Sequence, residues 1–359
     1  PGESLLQSIE SVEASDRLTV LIRLAYPDAD FLVTLANGQS KVVAPQAVSL
    51  RGDLRQGPTI GTGPWVLKEA DGEGFGFEAN PRYYELGFPQ IQQLRIVPVP
   101  DPLTRLAVIL GDRADVTNVD IVGWERLQDL QTSIGQGVFQ QPGTGILLGL
   151  RTAAPPFDRL EVRQALFHAL DPWQAVDAVW HGQGGVDLGV PRASSDWTLS
   201  QEEMSQYLAD PGRVNTLLAR AGVDPSVSFN LTVADFGDRH LALGTEYARM
   251  LREAGFDATV KPVNPRVYAE EVWVDGDFQA FLGPVPPVHT PNGFLFGLLH
   301  SQGQWSLTSY IDVELDRKIE EQSVAEDGRG KLVKEIQRYV LNKAILFMPV
   351  RGTSLWVWQ

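Results

Sequence analysis

Val227-Ser228-Phe229-Asn230-Leu231-Thr232-Val233 alternates an apolar with a polar side chain at every step. That period of two puts Val227, Phe229, Leu231 and Val233 on one face of a strand. The period then changes: Leu243, Tyr247, Met250, Leu251 and Ala254 recur at helical spacing and stop at Gly255, a residue suited to helix ends. Residues 258–263 read as a strand again, and 278–282 as another. Strand, helix and strand in succession predict an α/β arrangement.

The same texture continues outward. Val214, Leu217, Leu218 and Ala221 predict a short helix ended by Gly222. Val162, Leu166, Ala169, Trp173, Val176 and Trp180 predict one amphipathic helix over 160–181, with Asp158 and Glu161 as its capping box. Leu332, Ile336 and Val340 lead a late helix that reaches Ile345, and a strand follows over Phe347–Val350. Trp356 and Trp358 alternate as a strand would, so core packing is expected of both. Before residue 150, Leu18–Leu24 reads as a half-buried strand and Leu103–Leu110 as a helix with a left-handed cap at Gly111. Gly61-Thr62-Gly63-Pro64 is a turn, and a strand restarts at Trp65. Asp71-Gly72-Glu73-Gly74 then breaks the chain before Phe75–Glu78, and Leu94–Val99 is a further strand. There is no internal repeat.

The chain of 359 residues suggests about two domains at roughly 150 residues each. Its 30 Lys and Arg stand against 45 Asp and Glu, a formal charge of −15. A surface so negative repels phosphate backbones, so no nucleic-acid partner is expected. Cysteine is absent, which removes disulfides, thiol nucleophiles and cysteine-held metals together. No basic segment followed by an apolar one opens the chain at Pro1-Gly2-Glu3-Ser4. A cytoplasmic protein, a processed one and a piece of a longer one all fit that start. No apolar run of about 18 residues could span a bilayer.

Phe278–Ile311 holds 34 consecutive residues with no Asp, Glu, Lys or Arg. It carries Pro284, Pro286, Pro287 and Pro291, four glycines, His289 and His300, and Phe294, Phe296, Trp305 and Tyr310. The prolines argue against a long regular strand or a membrane helix. Two readings stand: a functional loop, or a buried connection that completes neighbouring cores. The search for catalytic patterns is negative. No nucleophile elbow, phosphate loop or dinucleotide fingerprint occurs, and the five histidines form no metal-binding pair. His168 falls within the helical pattern and reads as structural, whereas His289 and His300 are candidates for ligand contact. Glu202/Glu203, Glu270/Glu271 and Glu320/Glu321 are adjacent pairs that diverge on a helix surface. Asp275-Gly276-Asp277 is a turn. Neither a metal nor a cofactor is expected.

Several segments in order resemble the extracytoplasmic solute-binding proteins of the peptide, opine and nickel class, solute-binding family 5. Gly61-Thr62-Gly63-Pro64-Trp65-Val66-Leu67 and Asn80-Pro81-Arg82-Tyr83-Tyr84 are similar to the family's G-T-G-P-Y-x-L and N-P-x-Y-W segments. Ile96–Pro100 with Asp101, Leu106, Gly111 and Asp115 resembles the next one. Pro155-Pro156-Phe157-Asp158 with Val162-Arg163-Gln164-Ala165-Leu166 resembles its P-P-F-D helix entry, and Leu217–Gly222 its L-L-x-E-A-G. Leu315-Asp316 and the helix over 329–345 match the family's ending. The similarity covers nearly all of residues 9–359.

The resemblance implies a two-lobed, periplasmic-binding-protein-like α/β fold of the class C type. Residues 1–150, with 348–359 returning to them, would form the first lobe and 151–347 the second. Family first lobes begin far ahead of the G-T-G-P turn, and 60 residues precede it here, so an incomplete first lobe is expected. The implied function is non-enzymatic: an extracytoplasmic monomer that captures a peptide-like or other small solute between its lobes and delivers it to the permease of an ABC importer. A ligand-sensing domain of a transcriptional regulator is the alternative, and an enzyme with a site assembled across the fold is a third. The ligand is expected against Thr144, Gly145 and Ile146 and against the loop holding Pro284, Val285, Val288 and His289, with Trp305 nearby. Arg266 would pair with a ligand carboxylate if it faces the cleft. Peptide-binding members carry a G-W-x-x-D segment after the strand that Gly276-Asp277-Phe278-Gln279 matches, and here Gly283–Val288 holds neither Trp nor Asp. The charged acceptor for a peptide α-amino group is therefore missing from that loop.

Overall fold

The computed structural model describes residues 6, 8–46, 60–130, 133–191, 197–223, 227–236, 238–286 and 288–359. The chain divides into two compact units, the first made of residues 3–34 and 137–356, the second of 35–136 and 357–359.

In the first unit the alternating segment forms β8 (Ser228–Ala234), followed by helix α8 (Asp238–Glu253) and β9 (Asp257–Val263). β8 and β9 pair in parallel from Ser228↔Asp257 to Ala234↔Val263, the pairing that a helical crossover permits. β10 (Ala280–Pro284) lies on the other side of β8, also parallel, and is antiparallel to β7 (Gly135–Leu150). β11 (Leu346–Trp358) borders β7, so the order runs β11-β7-β10-β8-β9. At its centre, along β7 and β10, the sheet is buried on both faces, whereas β9 keeps Asp257, Thr259, Lys261 and Pro262 exposed. Ile146, Leu148, Leu150, Ala280 and Leu282 enter one core, and the intervening Leu147 and Phe281 enter another. The first core is completed by α4 (Leu160–Ala169), α5 (Pro172–Trp180), α7 (Val214–Ala221) and α8. The second is completed by α10 (Pro291–Leu299), α11 (Val313–Ser323) and α12 (Arg329–Asn342). Short helices α6 (Gln201–Met204) and α9 (Pro265–Tyr268) lie between these elements.

The N-terminal residues join this unit through the hairpin of β1 (Ile9–Ala14) and β2 (Val20–Leu24), the short helix α1 (Phe31–Leu35), and a buried polar knot. Arg329 pairs with Asp30 at 2.6 Å, with side chains 8% and 5% exposed. Arg329 also donates to the Ala29 carbonyl at 3.1 Å and through Nε and Nη2 to Gln322 Oε1. Asp30 Oδ2 accepts from the Asn292 N–H at 2.7 Å, and Gln322 Nε2 donates to Asn292 Oδ1 at 2.8 Å.

The second unit holds the antiparallel sheet β3 (Trp65–Asp71), β4 (Gly74–Ala79) and β5 (Gln93–Ile96). It also holds α2 (Pro102–Leu110), β6 (Val116–Val119) and α3 (Ile121–Asp129). Asp101 caps α2 by accepting from the Thr104 N–H at 2.7 Å, and Asp120 caps α3 by accepting from the Gly123 N–H at 2.8 Å. The two most specific sequence segments meet here. Asn80 donates from its backbone N–H to the Pro64 carbonyl and from its side chain to the Gly63 carbonyl.

Five expectations are corrected. The helix over 160–181 is two helices, because Pro172 starts α5 at its first turn and cannot continue α4. Arg159, not Asp158, precedes α4, and no side chain caps it. Gly111 has φ −91°, and the left-handed residue there is Asp112. Leu18 and Val20 are exposed and Ile22 and Leu24 half-buried, so only the second half of the expected face is covered, and the strand itself runs Val20–Leu24. Trp356 and Trp358 are each 39% exposed, and the buried residues of that alternation are Leu355 and Val357.

Candidate functional site

The ends of β7 and β10 bring together part of the expected ligand surface. In their antiparallel register Ile146 stands opposite Pro284, so Thr144-Gly145-Ile146 and the start of the loop after β10 are neighbours. Gly145 has φ +141°, and a Cβ there would lie 2.5 Å from the Val350 carbonyl and 2.6 Å from Met348 Sδ. Glycine is thus required where β11 crosses close to β7. Thr144 approaches Gly352 in the same way, since a Cβ on Gly352 would fall 2.2 Å from Thr144 Oγ1. Ile146 is buried and Thr144 exposed. Next to Gly145, Arg351 Nε and Asp187 Oδ2 are 2.8 Å apart with both side chains nearly buried, and Asp187 Oδ1 accepts from the Gly189 N–H at 2.7 Å.

The uncharged stretch separates into structured pieces. Phe278, Ala280, Phe281 and Leu282 supply core, and α10 occupies its middle. Thr290 caps α10 by accepting from the Gly293 N–H at 3.0 Å, and Pro291 sits at the first helical position. The proline that reads as a breaker therefore starts a helix. Val288 is buried, Val285 packs against the second core, and Trp305 donates its backbone N–H to the Gly297 carbonyl at 2.8 Å. A Cβ on Gly297 would meet both Trp305 and Val288, so these two candidates share one patch of α10. Trp305 meets Trp273 edge-on at 5.7 Å, and Trp273 meets Tyr268 at 6.0 Å. The buried Tyr268 lies against Gly283, where an added Cβ would stand 2.2 Å from its Cζ and Oη. Pro287 lies outside the described residues.

The remaining candidates stand apart from this packing. His289 is exposed beside the Thr290 cap. Arg266 is exposed on α9, two residues from the inward-facing Tyr268. His300 is buried at the end of α10, stacked on Phe296 at 4.2 Å, with Nδ1 accepting from the Gln302 N–H at 3.1 Å. Its place is that of a helix terminator. Among the described residues no group of three or more His, Asp and Glu is placed to hold a metal ion, and no helix is long and apolar enough to cross a membrane.

Comparisons with known proteins agree with this architecture. The profile of the bacterial extracellular solute-binding proteins, family 5 (middle), matches residues 1–306. Heme-binding protein A of Haemophilus influenzae is 26% identical over 362 residues, which cover 94% of this chain and 63% of that protein. Di/tripeptide-binding protein 3 of Pseudomonas aeruginosa is 27% identical over 236 residues, 63% of this chain and 43% of that one. The matches thus span less than two thirds of either relative. The crystal structure of AppA from Clostridium difficile superposes with a TM-score of 0.87 at 18% identity, over 100% of this chain and 76% of that one. The α/β fold is that of the family's solved structures, and the chain belongs to the bacterial extracellular solute-binding proteins of family 5.

Proposed function

We propose that this protein is the solute-capturing component of an ABC importer, acting outside the cytoplasmic membrane and passing its ligand to permease subunits. The observation that carries the reading is the family match over residues 1–306, which includes both the start of β7 and the end of β10. The ligand rests against Thr144–Ile146, Pro284, Val285 and His289, with Val288 and Trp305 supporting the loop from behind. Arg266, exposed on α9, is the candidate partner for a ligand carboxylate if it faces the cleft. The loop from Gly283 to Val288 offers carbonyls and apolar groups and no carboxylate. A small solute held by backbone hydrogen bonds and apolar contact suits it better than a peptide anchored by its α-amino group.

A thermal-shift panel of dipeptides, tripeptides, glutathione, opines, oligosaccharides, nickel chelates and heme tests the reading. A true ligand at about 100 times its dissociation constant adds roughly 2.7 kcal/mol of stability. Val285→Asp should remove the shift, because a carboxylate would then be desolvated under the ligand. Absence of any shift across the panel, together with flat titration calorimetry, would sink it.

A further inference from the structure

Away from the β7 and β10 ends, a cavity of about 470 Å³ opens between α4, the connection 205–213 and the end of α12. Its frame is fixed by hydrogen bonds. Asp210 N–H donates to the His168 carbonyl and Ala209 N–H to the Leu170 carbonyl, both at 2.9 Å. Gln164 Nε2 donates to the Asn342 carbonyl at 2.8 Å, tying α4 to α12. Leu217 and Leu341, both buried, form its apolar wall.

His168 lines this cavity and is 6% exposed. Its Nδ1 is sealed from solvent and meets no hydrogen-bond partner among the described residues, while Nε2 lies outside that seal. Burial first, and then Arg213, hold the imidazole below its ordinary value, so it is neutral at neutral pH. A neutral ring with Nδ1 sealed carries its proton to best effect on Nε2, as a donor toward an occupant. Asp210 and Arg213 also line the cavity, are exposed, and join no ion pair among the described residues. A simple anion here would feel Asp210 and a simple cation would feel Arg213. A molecule bearing both charges satisfies both.

We propose that this cavity is a second binding site, taking a small zwitterion with an ammonium, a carboxylate and an apolar side chain, of the size of a free amino acid or dipeptide. Arg213 and His168 Nε2–H hold the carboxylate, Asp210 the ammonium, and Leu217 and Leu341 the side chain. The volume falls within the range of small-molecule sites, about 300–1,000 Å³. The site stands independently of the importer reading, since none of its residues belongs to the β7 and β10 surface.

The test is a titration of the full chain followed by the ring resonances of its five histidines, with His168 assigned through His168→Gln. The probes are L-leucine, glycyl-L-leucine, isovalerate and isoamylamine. The expected result is a saturable shift of His168 with a zwitterion, and none with the single-charge analogues. Arg213→Gln and Asp210→Asn, both at exposed positions, should each weaken that binding about tenfold or more, as loss of a charge-assisted hydrogen bond does. An unmoved His168 at millimolar zwitterion, equal binding of isovalerate, or titrations unchanged in both variants would each overturn the assignment.

Discussion

Arg329 brings its charge into the interior because Asp30, Gln322 and the Ala29 carbonyl between them meet its donors. Removing one partner leaves a buried charge without compensation. Asp30→Ala should therefore lower unfolding free energy by about 3–5 kcal/mol in urea titration, and adding Arg329→Met should recover much of it. Glu203 shows the same physics near the surface. Its carboxylate accepts from the Ser200 N–H at 2.9 Å and from Arg338 at 2.5 Å, and the two, in that order, pull it down to about 2. A depressed folded value means stability that is present above the ordinary 4.5 and is lost as pH falls toward 2. Glu203→Gln should flatten the stability–pH curve within that window, read by thermal unfolding at a series of pH values.

At the scale of elements, β10 and α9 fit only because residue 283 has no side chain. Gly283→Ala should cost about 1–3 kcal/mol through overpacking against Tyr268, visible as a lower urea midpoint. Pro172→Ala separates one helix from two. Relief of a mid-helix proline would stabilise by about 3 kcal/mol, whereas a proline at the first turn of α5 should change stability by less than about 1 kcal/mol. The β8–α8–β9 unit was legible because its apolar period changes cleanly from strand to helix and back. The break at Pro172 was hidden because Trp173, Val176 and Trp180 stay in phase with Val162, Leu166 and Ala169. Helix α10 was obscured by prolines that read as breakers, although Thr290-Pro291 is itself a helix-start signal. For the candidate surface, strand ends place Ile146 beside Pro284. No local pattern, however, shows that Val288 and Trp305 meet on Gly297 or that His168, Asp210 and Arg213 share a cavity. Those groupings depend on how separate helices and loops pack.

Across the whole molecule, the first unit is assembled from residues 3–34 and 137–356, which are separated in sequence by the second. Ser8, Asp30 and Thr34 are buried in or beside the described N-terminal segment. Deleting residues 1–34 should therefore destabilise the first unit by at least the roughly 3–5 kcal/mol of a broken buried pair, measured by urea unfolding of the shortened chain. Among the described residues of that segment only the polar Ser8, Asp30 and Thr34 are buried, so an isolated peptide of it should be unstructured by circular dichroism. The position of β11 has a further consequence for synthesis. β7 is finished at Leu150, yet of its two neighbours in the sheet β10 starts only at Ala280 and β11 only at Leu346. Until the ribosome has made the later of these, β7 keeps at least one edge open, and closing so long a loop is slow. The sheet of the first unit is therefore completed only when residues 346–358 have been made, at the very end of synthesis of these 359 residues.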